Sequence, residues 1–236
     1  MIMSFIDHLI SFDRSLFFFL NGSDSAFLDG MFLTITKVST WIPLFLCMLY
    51  AVIKNNNTRR CLILLGLTVL LVVASDQFSS GLCKPFFHRL RPSHNPAMVG
   101  LVDLVNNYRS GLYSFISGHA TNTFAIAVYF SLIFRDKRTT AVLFSWALLS
   151  SYSRIYLGLH YPADIFAGAV SGSLIGCMFY YIYQLLITKF TTCKGKCSSL
   201  FTTTGYMKND FLIIQFVFVA TILYTLFAGG IFAYLH

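Results

Sequence analysis

The chain has 236 residues, 56% of them hydrophobic and only 11% charged, with a mean hydropathy of +0.70. A soluble domain carries about 25% charged residues, so the composition excludes an ordinary water-soluble enzyme and points to an all-α integral membrane protein. The net charge of +8 does not indicate nucleic acid, because the basic residues are interspersed with apolar segments and all nine acids are Asp. The length suits a single domain over residues 1–236 and leaves no room for a second one of ordinary size.

Residues 2–20 mix Phe, Ile and Leu with Asp7, His8, Asp13 and Arg14, too polar to span, and are expected as an amphipathic helix at the interface within residues 1–22. Six spans follow, each near the ~20 residues that cross a bilayer. They are Phe32 to Ile53 (with Lys37 as a polar exception), Cys61 towards Leu82, His119 to Phe134, Ala141 to Leu157, Pro162 to Ile187 and Phe211 to Leu235. The polar stretch 84–117 is the longest between spans. The six cysteines, Cys47, Cys61, Cys83, Cys177, Cys193 and Cys197, mostly sit in apolar runs and read as small core hydrophobes. Cys193 and Cys197 have no nearby His, which argues against a metal there.

Six spans place the turns 54–60, 135–138 and 189–208 on one side. These turns hold three, three and four of the seventeen Lys and Arg residues. The positive-inside rule makes that side cytoplasmic. Both termini, the 84–117 loop and the 153–164 stretch then face outward, across a bacterial inner membrane.

Three polar stretches carry chemistry. In Ser153-Arg154-Ile155-Tyr156-Leu157-Gly158-Leu159-His160-Tyr161-Pro162-Ala163-Asp164, Pro162 marks the first turn of a helix. Asp164 then falls one turn beyond His160, within reach of one imidazole nitrogen. An imidazole oriented by a carboxylate has a free, nucleophilic second nitrogen. Arg154 supplies a guanidinium suited to phosphate or carboxylate. Taken alone, this stretch also reads as a polar membrane edge with a satisfied His. In Lys84-Pro-Phe-Phe-His88-Arg89-Leu-Arg91-Pro92, Lys84 and Arg91 are expected to converge on one phosphate; a headgroup-binding edge is the plainer alternative. In Ile116-Ser117-Gly118-His119, Gly118 permits close backbone approach, and a helix N-terminus binds anions. Asp76, on the face of Lys84, is expected either to pair with a site cation or simply to end a helix. Asn122 is a candidate to face the site, and His88, His94 and Arg109 are loop residues within range of a headgroup.

Together, in order and spacing, the three stretches resemble the signature of the type 2 phosphatidic acid phosphatase family, which includes vanadium haloperoxidases. The resemblance covers about residues 70–185, and all signature residues lie within 84–164. One position departs: Ile116 stands where the family has Pro. The resemblance implies that His160 attacks phosphorus and forms a phosphohistidine, with Asp164 holding its tautomer. It further implies that His119 protonates the leaving group and then activates water. Lys84, Arg91, Ser117, Gly118 and Arg154 would bind the phosphoryl oxygens, with no metal and no cofactor.

The expected function is removal of phosphate from a lipid in the outer leaflet. Candidate substrates are undecaprenyl diphosphate, a lipid A phosphate, phosphatidylglycerophosphate and phosphatidic acid, and no protein partner is expected. A lipid phosphotransferase on the same scaffold, or a lipid-binding or transport protein, are the alternatives.

Overall fold

A computed structural model describes residues 2–98, 100–188 and 200–236; Lys189, Lys194, Lys196, Cys193 and Cys197 lie outside them. Among the described residues every extended element is helical: α1 (Ile2–Leu20), α2 (Ala26–Ile35), α3 (Ile42–Asn55), α4 (Thr58–Asp76), α5 (Lys84–Phe87), α6 (Gly118–Phe134), α7 (Lys137–Tyr156), α8 (Pro162–Thr188) and α9 (Asp210–Leu235). Cys47, Cys61, Cys83 and Cys177 are free thiols, buried or half-buried.

Exposure follows the logic of a lipid solvent. The outward faces of α3, α4, α8 and α9 present Leu46, Val69, Phe166, Leu174, Phe216 and Phe227, all more than half exposed. Continuous apolar surface of that kind is unstable in water and ordinary in a bilayer. Four helical stretches among the described residues, Val38–Asn55, Thr58–Phe87, Pro162–Ile187 and Asp210–Leu235, are long and apolar enough to cross one. The chain is a membrane protein.

α6 lies at the centre, against α4, α7 and α8. Its seam with α8 is set by glycine: a Cβ on Gly168 would meet the Ser117 carbonyl oxygen at 2.8 Å, and one on Gly176 the Ala125 carbonyl oxygen at 2.6 Å. Between them Gly172 faces the backbone of Thr121. Small residues every fourth position let two helices in lipid approach to backbone contact, where dispersion is strongest. The far end of the bundle is tied off separately. Lys54 Nζ donates to Asp210 Oδ1 at 2.7 Å, and Asn56 Nδ2 to the Tyr206 hydroxyl at 2.8 Å.

The expected continuous first span is divided. α2 ends at Ile35, a short 3₁₀ turn occupies Val38–Trp41, and α3 starts at Ile42 with Pro43 in its first turn. The run Thr34–Thr40 is rich in Thr, Ser and Val, residues whose hydroxyls or branched stems compete with helical bonding. The interrupted ladder is closed by side chains: Thr40 Oγ1 donates to the Thr34 carbonyl at 2.7 Å, and Trp41 Nε1 to that of Ile35 at 2.9 Å. The second correction concerns Lys84, expected in a loop. A π-type turn over Gln77–Cys83 carries the helix on through Phe87, so Lys84 is helix-borne.

Candidate active site

The three polar stretches meet at the end of the bundle where α6 and α8 begin and α7 ends. Ser117 caps α6 by accepting from Ala120 N–H at 3.4 Å, and its own N–H donates to the Asp164 carbonyl at 3.1 Å. That bond joins the Ser117 stretch to the 153–164 stretch. With the cap, it fixes the turn in which Ile116 stands. The Lys84–Pro92 stretch is pinned by a one-residue antiparallel bridge between Leu90 and Tyr113. Arg91 N–H donates to Leu112 O, and Ser114 N–H to Arg89 O. Alternate residues of an extended strand share a face, so Arg89 and Arg91 both project towards residues 157–164.

His160 is 2% exposed and lies between those two arginines. Arg91 Nη1 donates to His160 Nε2 at 3.3 Å and to the Leu159 carbonyl at 3.3 Å. A guanidinium has no lone pair to offer, so Nε2 is an acceptor and the neutral ring carries its proton on Nδ1. That nitrogen sits 3.5 Å from Asp164 Oδ2 with no hydrogen bond of its own. Burial, followed by the charges of Arg91, Arg154 and Lys84, holds the His160 imidazole well below the usual histidine range. The basic nitrogen is therefore free of a proton.

Among the described residues Arg154, Arg91 and Lys84 form no ion pair with a carboxylate. Arg154, 4% exposed, donates Nη1 to Thr36 Oγ1 at 2.6 Å and leaves its buried Nε–H unsatisfied. Arg91, also 4% exposed, donates to the Tyr113 carbonyl through Nε at 3.2 Å, and burial and the charge of Arg154 pull it down to about 10. Lys84 Nζ bonds the Ser80 hydroxyl at 3.1 Å, and that hydroxyl donates on to Asp76 Oδ1 at 3.4 Å. Asp76 thus reaches Lys84 through an intervening serine. A Cβ on Gly118 would stand 3.9 Å from Lys84 Nζ and 3.2 Å from Ser79 Oγ, inside the same space. Unpaired buried charges cost several kcal/mol each, and an anion between these three groups relieves all of them.

His119 sits on the other flank, its Nε2 3.4 Å from the Thr36 carbonyl oxygen. It lines a largely apolar cavity of about 480 Å³ between α3, α4 and α6, with Thr36 and Asn122, whose buried Oδ1 has no partner. Thr36, Ser80 and Tyr108, the last beside Arg154 and Arg91, were not apparent from sequence. The hydroxyl-rich run before Pro43 is the signal that would have found Thr36. Arg89 is the largest omission: Nη1 bonds Asp164 Oδ1 at 2.8 Å and Nη2 bonds Asp13 Oδ2 at 2.6 Å. His88 packs edge-on against Tyr113, His94 Nδ1 lies 3.1 Å from Ser93 Oγ, and Arg109 is exposed; none has a bond into the pocket.

An apolar helical bundle with a buried, cation-lined pocket at one end defines a membrane enzyme that handles phosphorylated groups. Comparison with known proteins agrees. The model of the PAP2 superfamily matches residues 65–187. The chain is 35% identical over 215 residues to a lipid A 4'-phosphatase of Porphyromonas gingivalis, covering 90% of this chain and 91% of that protein. It is 32% identical to a lipid A 4'-phosphatase of Bacteroides thetaiotaomicron, covering 92% and 98%. Among solved structures, Aquifex aeolicus LpxE superposes with a TM-score of 0.54 at 26% identity, covering 71% of this chain and 94% of that one. The chain belongs to the PAP2 superfamily, the family whose signature its three stretches resemble, and it is a phosphatase.

Proposed function

We propose that this protein removes a phosphate from lipid A, at the 4'-position, in the outer leaflet of a bacterial inner membrane. The observation that carries the phosphoryl site is the set of three cations, Lys84, Arg91 and Arg154, none of them in an ion pair among the described residues, with Arg91 directly on His160 Nε2. The substrate follows from the two lipid A 4'-phosphatases that align along nearly the whole chain. The apolar cavity beside His119, with Asn122 Oδ1 unpaired in its wall, suits a lipid with a polar head.

In the first half-reaction, the Nε2 lone pair of His160 attacks phosphorus. The P–O bond breaks, and its electron pair leaves on the lipid oxygen, which takes a proton from His119. Arg91 turns from Nε2 to the phosphoryl oxygens, joined by Arg154, Lys84, the Ser117 hydroxyl and the Gly118 N–H, the electrostatic contribution that dominates phosphoryl transfer. The phosphohistidine keeps its Nδ1 proton towards Asp164. In the second half, His119 takes a proton from water, the water oxygen attacks phosphorus, and the P–N bond pair returns to Nε2.

Residues 1–236 act as one domain in this reading, and six segments cross the membrane: 26–55 as one broken span, 58–87, α6, α7, α8 and α9. α6 is short, and α7 is polar on its buried side. At 17 residues α6 is about 25 Å long, and α7 carries Ser150, Ser151, Ser153 and Arg154 buried. α1 lies in the interface with Leu9, Phe12 and Phe19 exposed to lipid. The 84–117 loop and the pocket face outward.

The test is phosphate release by the purified, detergent-solubilised protein from lipid A labelled with ³²P at either phosphate, beside phosphatidic acid, phosphatidylglycerophosphate and undecaprenyl diphosphate. Release from the 4'-position at the highest kcat/KM is expected. Preference for another lipid overturns the substrate; no release from any overturns the whole reading.

A further inference from the structure

Arg89 and Asp13 belong to no signature stretch position with an assigned role, yet they are built into the back of the site. Asp13, 7% exposed, comes from the middle of α1. Its Oδ2 takes Arg89 Nη2, and its Oδ1 accepts Ala163 N–H at 2.8 Å. The guanidinium stacks 4.0 Å above the ring of Tyr161, and Phe17, one turn after Asp13, packs on that ring with centroids 5.5 Å apart. Further along, Asn21 Nδ2 donates to the Tyr156 carbonyl at 2.8 Å. α1 therefore grips the catalytic loop on both sides, at the end of α7 and the start of α8.

We propose that Asp13 and Arg89 are a positioning pair for the reaction. Arg89 occupies Asp164 Oδ1, so that Oδ2, which also accepts Tyr161 N–H at 2.9 Å, is the oxygen presented to His160 Nδ1. Asp13 then sets the charge. Arg89 alone would cancel Asp164; with Asp13 the three groups sum to one negative charge. That charge is needed when the ring turns cationic as the P–N bond forms, because Lys84, Arg91 and Arg154 on the other side are all positive. The inference rests on His160 as nucleophile and Asp164 as its orienting carboxylate.

The experiment uses the full-length protein with p-nitrophenyl phosphate as probe. Asp13→Asn keeps an acceptor for Ala163 N–H but removes the charge. It is expected to lower kcat by about 10–100-fold, the usual range for partners that orient a working ligand, with KM unchanged. Asp13→Asn/Arg89→Gln restores the single negative charge on Asp164, and its kcat is expected several-fold above that of Asp13→Asn. A double variant no faster than Asp13→Asn, or a single variant as fast as the parent, overturns the pair. A merely structural role predicts that the losses accumulate. If Asp13→Asn does not fold, Arg89→Lys decides: its point charge cannot bridge both carboxylates, so kcat must fall at constant KM, and an unchanged kcat overturns the proposal. His160→Ala, run alongside, reports on the nucleophile separately; turnover surviving there sinks the reading of the site, whatever the charge rescue shows.

Discussion

Arg89 and Arg91 stand on either side of the Leu90 bridge residue, yet the protein treats them in opposite ways. Arg89, on the Nδ1 side of His160, is held between two carboxylates at 2.6 and 2.8 Å. Arg91, on the Nε2 side, donates to two carbonyl oxygens and the imidazole and to no carboxylate among the described residues. The back of the site is neutralised and locked, and the front is left short of negative charge. Stability is concentrated on one side of the ring, and unmet demand for an anion on the other.

The comparison can be broken at several points. His160→Ala, which removes the group between the two sides, is expected to cost about 10⁴-fold or more in kcat and to abolish acid-labile ³²P trapped on the protein. Label persisting in His160→Ala and vanishing in His119→Ala would reverse the two roles. His119→Ala is expected to cost about 10²–10⁴-fold, less with p-nitrophenyl phosphate, whose leaving group needs no proton; equal losses on both substrates would remove His119 from leaving-group protonation. Arg91→Ala or Arg154→Ala should each cost about 10²–10³-fold in turnover and weaken inhibition by vanadate, while activity persists in EDTA.

Stability sharpens the contrast most directly. Arg89→Met strands two buried carboxylates and is expected to lower unfolding stability by about 3 kcal/mol, measured by denaturation in detergent. Arg91→Met relieves repulsion with Arg154 and should not lower it at all. If both variants lose stability equally, the front of the site is not the strained side. The smallest effect concerns pH. His160 is held neutral well below the usual range, by burial first and then by Arg91. In the proposed mechanism its protonation limits activity on the acid side. Removing one cation in Arg91→Gln favours the protonated ring, so the acid limb of kcat/KM should move to higher pH, by about one unit.

Much of the front of the site was legible in the sequence, and little of the back. Lys84, Arg91, Arg154, His119 and His160 stand out because ionisable groups in an apolar chain are rare and costly. Asp13 is equally rare, but it lies in a segment whose polarity reads as that of an interfacial helix. Its partner is 76 residues away, and no local pattern encodes such a pairing. One acid of α1, Asp13, points inward to Arg89 beside the buried Phe17, while Asp7, Phe12 and Phe19 are exposed. The break at Thr36 was hidden for a different reason. Hydropathy alone reads Thr-Ile-Thr-Lys-Val-Ser-Thr as tolerable within a span, whereas the competition of its hydroxyls for backbone bonds decides the geometry. Helix ends elsewhere fell close to expectation because Pro162, Ser117 and the basic turns are strong punctuation.

The glycine seam between α6 and α8 divides labour within the bundle. With Gly168, Gly172 and Gly176 against backbone, the two helices that carry Gly118, His119 and Asp164 are locked together at backbone contact. The cavity beside His119 is walled on its other sides chiefly by α3 and α4, with Trp146 and Ser150 of α7, and these helices have no such seam with α6. In the proposed mechanism, exchanging residues such as Phe45, Leu49, Leu65 and Val72 would change the girth of lipid admitted while leaving the backbone that carries His119 and Asp164 in place. A scaffold of this kind can drift in what it accepts while its chemistry stays fixed.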